Sequence, residues 1–414
     1  DPVKVKEMNM PVEGGPLPGY PDVPYAQSCS MDRCMARAKE MMDWDSKYPC
    51  RDMGNGKVRG VGVAMAMQGS SIAGVDVGGA DIKLNEDGSY TLALGCTDMG
   101  TGCDTVMAQI AADCLNTPMD NIVVFSVDTD ISPYDSGSYA SATTYTTGVA
   151  VMKACEELKK KICKLGAEMM EVDERKVDFD GSCVFYDETL EISDGAERNA
   201  AGHMTDAEEG YSVDMDAISS ENAQKKVSLE DIALKSTFFN NIELQVVKQH
   251  SSPISPPPFM VGMAEVEVDT ETGSVDVLDY VAVVDCGTPI NPNLARVQTE
   301  GGIAQGIGMA LWEDVQYTDK GKIRNNSFMQ YKIPTRQDIG NIRVDFECSY
   351  EKSGPFGAKS IGELVIDTPC PALAEAIYNA TGVRLTELPM TPEKIAMEIL
   401  KNRESIRSGT KVEE

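Results

Sequence analysis

The chain has 414 residues, of which 42% are hydrophobic and 25% are charged, a composition typical of a soluble protein with one or more large cores. Its 66 acidic and 37 basic residues give a formal net charge of −29, which disfavours nucleic acid as a partner because two polyanions repel each other. No apolar run reaches the ~20 residues that span a bilayer and no signal peptide opens the chain, so we expect a cytoplasmic protein.

The residue types that ligate metals are scattered. The 12 cysteines include no C-x-x-C pair, and the two histidines are His203 and His250. Structural zinc and iron–sulfur centres need clustered thiolates or imidazoles. The sequence therefore predicts no metal ligand among its own side chains, and the cysteines within apolar helical stretches suit reduced thiols.

Apolar periodicity and turn residues predict an α+β protein with antiparallel or mixed sheets. Residues 1–25 are rich in Pro and Gly, and we expect them to run extended over a surface. A helix is predicted over residues 31–44 and a buried strand over residues 60–68. Further helices are predicted at about 104–116, 142–165, 368–381 and 392–402.

Two segments of the chain resemble each other and predict two related α/β halves. Alternating apolar residues flank a turn at 85–88 in the first segment and at 269–273 in the second, which is the pattern of a β-hairpin. Each hairpin leads into a Gly-containing loop. We place the first half at residues 1–250, with a solvated acidic insertion near 187–222, and the second half at 251–414 after a stiff Pro-rich boundary.

Two Gly- or Ser-rich motifs precede predicted helices and are candidate ligand-binding elements. In Met99-Gly100-Thr101-Gly102 the glycines let a ligand approach the backbone, and open amides at the helix start favour an anion. A tight turn is the alternative interpretation of this loop. In Ala140-Ser141-Ala142-Thr143 the hydroxyls and amides suit either a helix cap or a polar cofactor.

Two further motifs lie in the second half. Four glycines fall between Gln298 and Gly308, and each costs a helix about 1 kcal/mol relative to alanine, so close packing or approach of a ligand must offset the loss. The turn at residues 357–362 ends in the carboxylate of Glu363. Taken alone, that glutamate suits a solvated or salt-bridged position.

Taken in their order along the chain, these motifs resemble the molybdenum hydroxylase family, which includes xanthine dehydrogenases, aldehyde oxidoreductases and nicotinate dehydrogenases. Asp1-Pro2, Asp285-Cys286-Gly287-x-x-Ile290-Asn291-Pro292 and Tyr331-x-Ile333-Pro334-Thr335 also carry the resemblance. It extends from end to end and identifies the chain as the C-terminal half of the molybdopterin-binding catalytic subunit.

The resemblance implies a molybdenum–molybdopterin cofactor, and it leaves open the nucleotide form of the pterin and a terminal sulfido or selenido ligand. It assigns Glu363 as the general base, a role that burial favours because it raises a carboxyl pKa. The pterin holds the metal, so no protein ligand to molybdenum is expected. The positions implied to contact the cofactor are Met99, Gly100, Thr101, Gly102, Ala140, Ser141, Ala142, Thr143, Gln298 and Ser360.

The implied reaction inserts a water-derived oxygen at an electron-poor C–H carbon of an N-heteroaromatic (nicotinate- or purine-like) or aldehyde substrate. Electrons would pass to partner subunits that carry a 2Fe-2S cluster and FAD. The family's Gly-Gly-Gly-Phe-Gly and Phe-Arg-Gly motifs do not occur here, so we expect a second polypeptide to supply the other half of the molybdopterin subunit. Two alternatives stay open, namely a reductive subunit acting on an aromatic thioester and a cofactor-free structural paralogue.

The sequence departs from the family pattern at three places. Thr101 stands where Gln is common, which alters one expected pterin contact. Ser360 replaces a usual Gly beside the catalytic turn. Residues 60–89 contain no Phe, Tyr or Trp, whereas xanthine-oxidising relatives place an aromatic side chain there, so a purine substrate is not favoured.

Overall fold

The computed structural model describes residues 1–20, 22–190, 225–240 and 242–408. Among these residues no helix combines the length and the apolar character that crossing a membrane requires. The helices are α1 (Pro2–Asn9), α2 (Met31–Met42), α3 (Trp44–Lys47), α4 (Cys103–Leu115), α5 (Gly148–Met170), α6 (Leu229–Leu234), α7 (Pro292–Leu311), α8 (Pro369–Thr381) and α9 (Pro392–Ser408). The strands are β1 (Cys50–Gly54), β2 (Lys57–Met67), β3 (Gly78–Leu84), β4 (Tyr90–Leu94), β5 (Ile122–Ser126), β6 (Val177–Phe179), β7 (Cys183–Tyr186), β8 (Lys226–Ser228), β9 (Gln245–His250), β10 (Phe259–Asp269), β11 (Val275–Asp285) and β12 (Asn341–Phe346).

The chain forms two compact units. Unit 1 comprises Asp1–Ser70, Ser255–Glu351 and Phe356–Glu414, and unit 2 comprises Ser71–Ile254 and Lys352–Pro355. The sheet of unit 1 has the order β1-β2-β10-β11-β12. Its last pair, β11 and β12, is parallel, and the other neighbours are antiparallel.

Helix α8 lies directly on strands β2 and β10 of unit 1. Two glycines of β2 make this close approach feasible, because a Cβ at Gly60 or Gly62 would overlap the backbone of α8 at Ala376 or Ala372. The apolar faces of α7, α8, β10 and β11 together form a core of fully buried side chains. The sheet and these two helices therefore form the rigid body from which the 357–363 turn projects.

Unit 2 contains a four-stranded sheet in the order β5-β4-β3-β9 and a small sheet in the order β6-β7-β8. Helices α4 and α5 pack against each other, and α5 also packs on strands β3 and β9 of the larger sheet. The buried side of α5 is a stripe of small and aliphatic residues that includes Ala150, Val151, Ala154, Leu158 and Ile162, at the helical spacing that an amphipathic element requires.

The two units share one topology, which confirms the predicted pair of related α/β halves. In unit 2 the hairpin β3–β4 is followed by α4, by β5 parallel to β4, and by α5. In unit 1 the hairpin β10–β11 is followed by α7, by β12 parallel to β11, and by α8. Each first hairpin strand also pairs antiparallel with one further strand, β9 in unit 2 and β2 in unit 1.

The predicted elements are confirmed, but the division of the chain differs from the predicted one. Residues 1–70 belong with the later half rather than with residues 71–250, because strand β2 pairs along its whole length with β10. The Pro-rich boundary does coincide with the transition at residue 255. The acidic insertion near 187–222 lies outside the described residues beyond residue 190.

The first residues are helical, which corrects the expected extended course. Helix α1 begins at Pro2, and the carboxylate of Asp1 accepts a hydrogen bond of 2.9 Å from the amide of Val3. An Asp cap followed by Pro is a strong helix start, and this signal outweighs the Pro- and Gly-rich composition of the segment.

Candidate cofactor and active site

The first candidate motif is the loop between β4 and α4 of unit 2. Its amides are already occupied, because Oδ1 of Asp98 accepts hydrogen bonds from the amides of Gly100 (2.9 Å) and Gly102 (3.1 Å). Burial acts to raise the pKa of Asp98, but these amide hydrogen bonds outweigh it and hold the pKa below its ordinary value. Asp98 therefore caps the amides of Gly100 and Gly102 from within the loop.

The outer face of the same loop is open. Gly100 has φ +103° and no atom within 4 Å of the position that a Cβ would take, and the side chain of Met99 is 66% exposed. Asp98, Cys103 and Asp104 bring ligand atoms within 4.8 Å of one another. The two amides above and the hydroxyl of Ser126 hold these carboxylates, so the cluster serves to stabilise the loop.

The second candidate motif leads into α5 and has a strained backbone. Ala140 and Ser141 adopt positive φ angles of 50° and 56°, which residues other than glycine rarely do; two such residues in succession make this segment a candidate for a functional role. A π-helical turn at Thr143–Thr147 follows, and the backbone reaches α-helical geometry only at Gly148. Beside it, the hydroxyl oxygen of Ser138 is buried without a hydrogen-bond partner.

In unit 2, the helix that follows the first motif packs against the turn that follows the second. Helix α4 begins immediately after Gly102 and packs against the π-helical turn that begins at Thr143. The hydroxyl of Thr147 donates a hydrogen bond of 2.8 Å to Asp135. Tyr145 is fully buried, and its hydroxyl lies 2.9 Å from that of Ser252.

The third and fourth motifs meet in unit 1. Gln298, on the first turns of α7, donates a hydrogen bond of 3.3 Å from Nε2 to the carbonyl oxygen of Gly362. Ser360 is 3% exposed, and its amide donates to the hydroxyl of Ser70 at 3.0 Å. Glu363 follows at the start of the 3₁₀ turn Leu364–Ile366.

The glycines of α7 have a packing explanation at three of the four positions. A Cβ at Gly302 would overlap Val365, one at Gly306 would lie 2.7 Å from Pro369, and one at Gly308 would overlap Glu313. At Gly301 the same atom would meet nothing within 4 Å. The helix therefore lies too close to the 364–369 segment for larger side chains.

Glu363 is exposed in this structure, which corrects the expectation of a buried carboxylate. A second carboxyl group, that of Asp367, lies close by, since burial and then the charge of Glu363 raise the pKa of Asp367. The described residues therefore present Glu363 on a surface, at the end of a turn whose other residues are held by hydrogen bonds.

Sequence patterns did not single out three further features of the site. They are the Asp98 carboxylate inside the Gly loop, the buried hydroxyl of Ser138, and an ion pair between Lys359 and Asp285. An Asp two residues before a Gly is a recognisable turn signal, so the first could have been found. The others depend on contacts between distant parts of the chain.

These features fit a polar organic cofactor with a phosphate tail. The donors on the candidate motifs are hydroxyls and amides, the Gly100 backbone is open to close approach, and the oxygen of Ser138 lacks a partner. A cofactor that carries its own metal-binding atoms needs no thiolate or imidazole from the protein. The fold and the donor set thus define a protein that can bind a polar organic cofactor.

Comparison with known protein families agrees with this class. The sequence model of the molybdopterin cofactor-binding domain family matches residues 37–340. The chain therefore belongs to this family, and its membership of the molybdenum hydroxylases, inferred above from motifs, is confirmed.

Curated relatives show how much of a larger protein the chain represents. The probable hypoxanthine oxidase XdhD of Escherichia coli is 34% identical over 380 residues, which are 90% of this chain and 35% of that protein. The putative xanthine dehydrogenase molybdenum-binding subunit XdhA of the same species is 29% identical over 404 residues, 95% of this chain and 49% of that protein. The chain thus spans between about a third and a half of the length of these relatives.

Solved structures show the same fold. CO dehydrogenase from Oligotropha carboxidovorans superposes with a TM-score of 0.78 at 20% identity, over 97% of this chain and 49% of that chain. Quinoline 2-oxidoreductase from Pseudomonas putida 86 gives a TM-score of 0.76 at 22% identity, over 90% of this chain and 46% of that one. The α+β fold class is thereby confirmed.

Proposed function

We propose that this chain supplies the molybdopterin-binding and general-base residues of a multi-subunit hydroxylase that acts on an electron-poor C–H carbon of an N-heteroaromatic substrate. One observation carries the proposal: Glu363 stands exposed at the end of a turn whose preceding residues Ser360 and Gly362 are fixed by hydrogen bonds. A carboxylate on an immobilised backbone suits general-base catalysis, because the base must be held within hydrogen-bond reach of the proton that it takes.

The candidate motifs supply the contacts for the cofactor. The open backbone of Gly100 and the hydroxyls of Ser138, Ser141 and Thr143 are suited to hold its polar parts, and Gln298 lies beside the catalytic turn. When bound, the molybdenum–pterin group supplies a two-electron redox change. The protein's contribution is to bind this group and to orient it against the substrate.

Glu363 performs the proton transfer in this proposal. An oxygen of the Glu363 carboxylate would accept the proton of the hydroxyl group whose oxygen bonds to the substrate carbon, and it would hold that proton until product leaves. The hydrogen and the two electrons of the C–H bond that breaks would pass to the cofactor. The side chain is exposed in this structure, so the exclusion of water that raises a carboxyl pKa must come from the cofactor and from polypeptide beyond these residues.

The proposed partners follow from the same comparison. The matched relatives are two to three times longer than this chain, and several are named as subunits, such as the nicotine 6-hydroxylase large subunit of Paenarthrobacter nicotinovorans. We place the remainder of the molybdopterin-binding fold on a further polypeptide segment. Partners carrying a 2Fe-2S cluster and FAD then accept the electrons.

The choice of an N-heteroaromatic substrate over an aldehyde rests on names of the relatives. These names include a probable hypoxanthine oxidase, a nicotine 6-hydroxylase and a 6-hydroxypseudooxynicotine dehydrogenase. The absence of an aromatic side chain in residues 60–89 favours a pyridine-like ring over a purine among these. Profiling the complex with pyridine, purine and aldehyde substrates tests this choice.

The substitution Glu363→Gln tests the role of the base. It keeps the shape of the side chain but removes its basicity, so kcat should fall by about 10²–10⁴-fold while molybdenum content stays unchanged. The matched control is Glu393→Gln, at an exposed glutamate of α9, which should leave both quantities unchanged. Near-normal turnover of Glu363→Gln would refute the role assigned to Glu363.

Elemental analysis of the complex purified through this chain tests the cofactor itself. We expect molybdenum at about one atom per chain, with iron contributed by a partner subunit. Absence of molybdenum from an intact complex would contradict the proposal and favour a structural paralogue that binds no cofactor.

A further inference from the structure

A buried ion pair lies directly behind the turn that ends at Glu363. Nζ of Lys359 and Oδ2 of Asp285 are 3.1 Å apart, and both side chains are fully buried, with 0% exposure. Removing two charges from water costs several kcal/mol per ion, so such a pair persists only with good geometry and further hydrogen bonds. The proton transfer proposed above uses neither residue.

Each member of the pair has the additional partners that this burial demands. The carboxylate of Asp285 accepts hydrogen bonds from the amides of Ser30 and Gly287, both at 2.9 Å, and from the hydroxyl of Ser349 at 2.7 Å. Nζ of Lys359 donates to the carbonyl oxygen of Ser28 at 3.2 Å. A fully satisfied network of this kind specifies one arrangement of its backbone.

The backbone around the pair is joined by a second set of hydrogen bonds. The amide of Lys359 donates to the carbonyl of Cys286 at 2.8 Å, and the amides of Thr288 (2.9 Å) and Glu351 (3.1 Å) both donate to the carbonyl of Gly357. Gly287 has φ +67°, and a Cβ there would overlap the carbonyl oxygen of Gly357. The backbone at the start of the turn therefore packs directly against the backbone of the loop that follows β11.

Hydrogen bonds also fix the later part of the turn, at Ser360 and at Gly362. The amide of Ser360 donates to the hydroxyl of Ser70, and the carbonyl of Gly362 accepts from Gln298. Glu363 is the next residue, and it is exposed. Every contact from Gly357 to Gly362 thus fixes the direction in which the carboxylate of Glu363 leaves the turn.

We propose that the Lys359–Asp285 pair is a positioning device for Glu363, acting through the backbone of the 357–362 turn. This inference rests on the proposed role of Glu363 as the base. Misplacement of a catalytic group by about 1 Å costs on the order of 10² in rate, so an interaction that fixes the turn sets kcat without touching substrate or cofactor.

The test uses a double variant in the intact complex, called the neutral pair, in which Lys359 and Asp285 are both replaced by uncharged residues. Lys359→Met alone leaves a buried unpaired carboxylate and endangers folding, whereas the double substitution Lys359→Met with Asp285→Asn removes both charges and keeps the volumes similar. The control is Lys47→Met with Glu265→Gln, which removes two charges of another largely buried cluster of unit 1, in which Glu265 (6% exposed) pairs with both Lys47 (19% exposed) and the more exposed Arg51. The readouts are hydrogen exchange of peptides covering residues 357–364, kcat and KM, and molybdenum content.

For the neutral pair we expect exchange of the turn amides to be faster by about tenfold or more. We expect kcat to fall by on the order of 10², while KM and molybdenum content stay within about twofold. The control pair should leave turn exchange and kcat unchanged.

Unchanged turn exchange together with unchanged kcat in the neutral pair would overturn the inference. So would a uniform rise in exchange across unit 1, because that result would show a general structural role. Turnover retained by Glu363→Gln would overturn the general-base proposal alone, since the exchange measurement does not depend on activity.

Discussion

Adjacent glycines of helix α7 should respond to the same substitution with different changes in stability. At Gly302 an added Cβ would lie 3.1 Å from Cβ of Val365 and closer still to its Cγ2, whereas at Gly301 it would meet nothing within 4 Å. Both alanines gain about 1 kcal/mol of helix propensity. Overpacking against a β-branched, fully buried Val365 costs about 1–3 kcal/mol.

Gly301→Ala should therefore raise the free energy of unfolding by about 1 kcal/mol. The free energy of unfolding of Gly302→Ala should lie below that of Gly301→Ala by about 1–3 kcal/mol, because the gain in helix propensity is common to both variants and cancels in the difference. Urea unfolding followed by far-UV circular dichroism measures this difference, provided that the slopes of both variants agree. Equal stability of the two variants would refute the claim that α7 packs against the 364–369 segment at Gly302.

Two other predictions concern charged groups of unit 2. Burial and then the charge of Lys153 lower the pKa of His250 to about 4 from an ordinary 6.5; the stability that the neutral ring contributes is therefore present above pH 6.5 and lost as the pH falls towards 4. His250→Gln should flatten the decline in melting temperature over this range, and identical declines would contradict the assignment. Asp98→Ala should lower the free energy of unfolding by about 1 kcal/mol, because it removes the carboxylate that accepts from the amides of Gly100 and Gly102, and an unchanged urea midpoint would show that these two hydrogen bonds contribute nothing.

The elements near each motif were predictable from the sequence because their signals are local. The hairpins around 85–88 and 269–273 and the glycine that ends α8 at Gly382 obey turn and cap rules that involve a few consecutive residues. The related halves followed from repeated hairpins of this kind. Family resemblance then supplied the roles that spacing alone left open.

The parts that escaped prediction depend on contacts between distant residues. No local pattern shows that β2 pairs with β10, because residues 71–254 separate the two strands in sequence. Residues 1–70 therefore belong with the later half of the chain, and the predicted boundaries are wrong at this point. The same holds for Lys359 and Asp285, whose partners include Ser28 and Ser30 more than 250 residues away in sequence. The cap that Asp98 places on the amides of Gly100 and Gly102 is a local contact that a turn signal could have indicated.

The discontinuity of unit 1 also has a kinetic consequence. Strand β2 cannot pair until β10 has been synthesised, and residues 71–254 separate the two. The main segment of unit 2, residues 71–254, is continuous through this stretch, and near its two ends the amide of Gly74 donates a hydrogen bond of 2.7 Å to the carbonyl of Ser252. Once this segment has folded, the loop between β2 and β10 behaves as a short one, which reduces its closure cost by about 3 kcal/mol. Nascent chains should therefore fold this segment first, and they should add Lys352–Pro355 to it and complete the five-stranded sheet later.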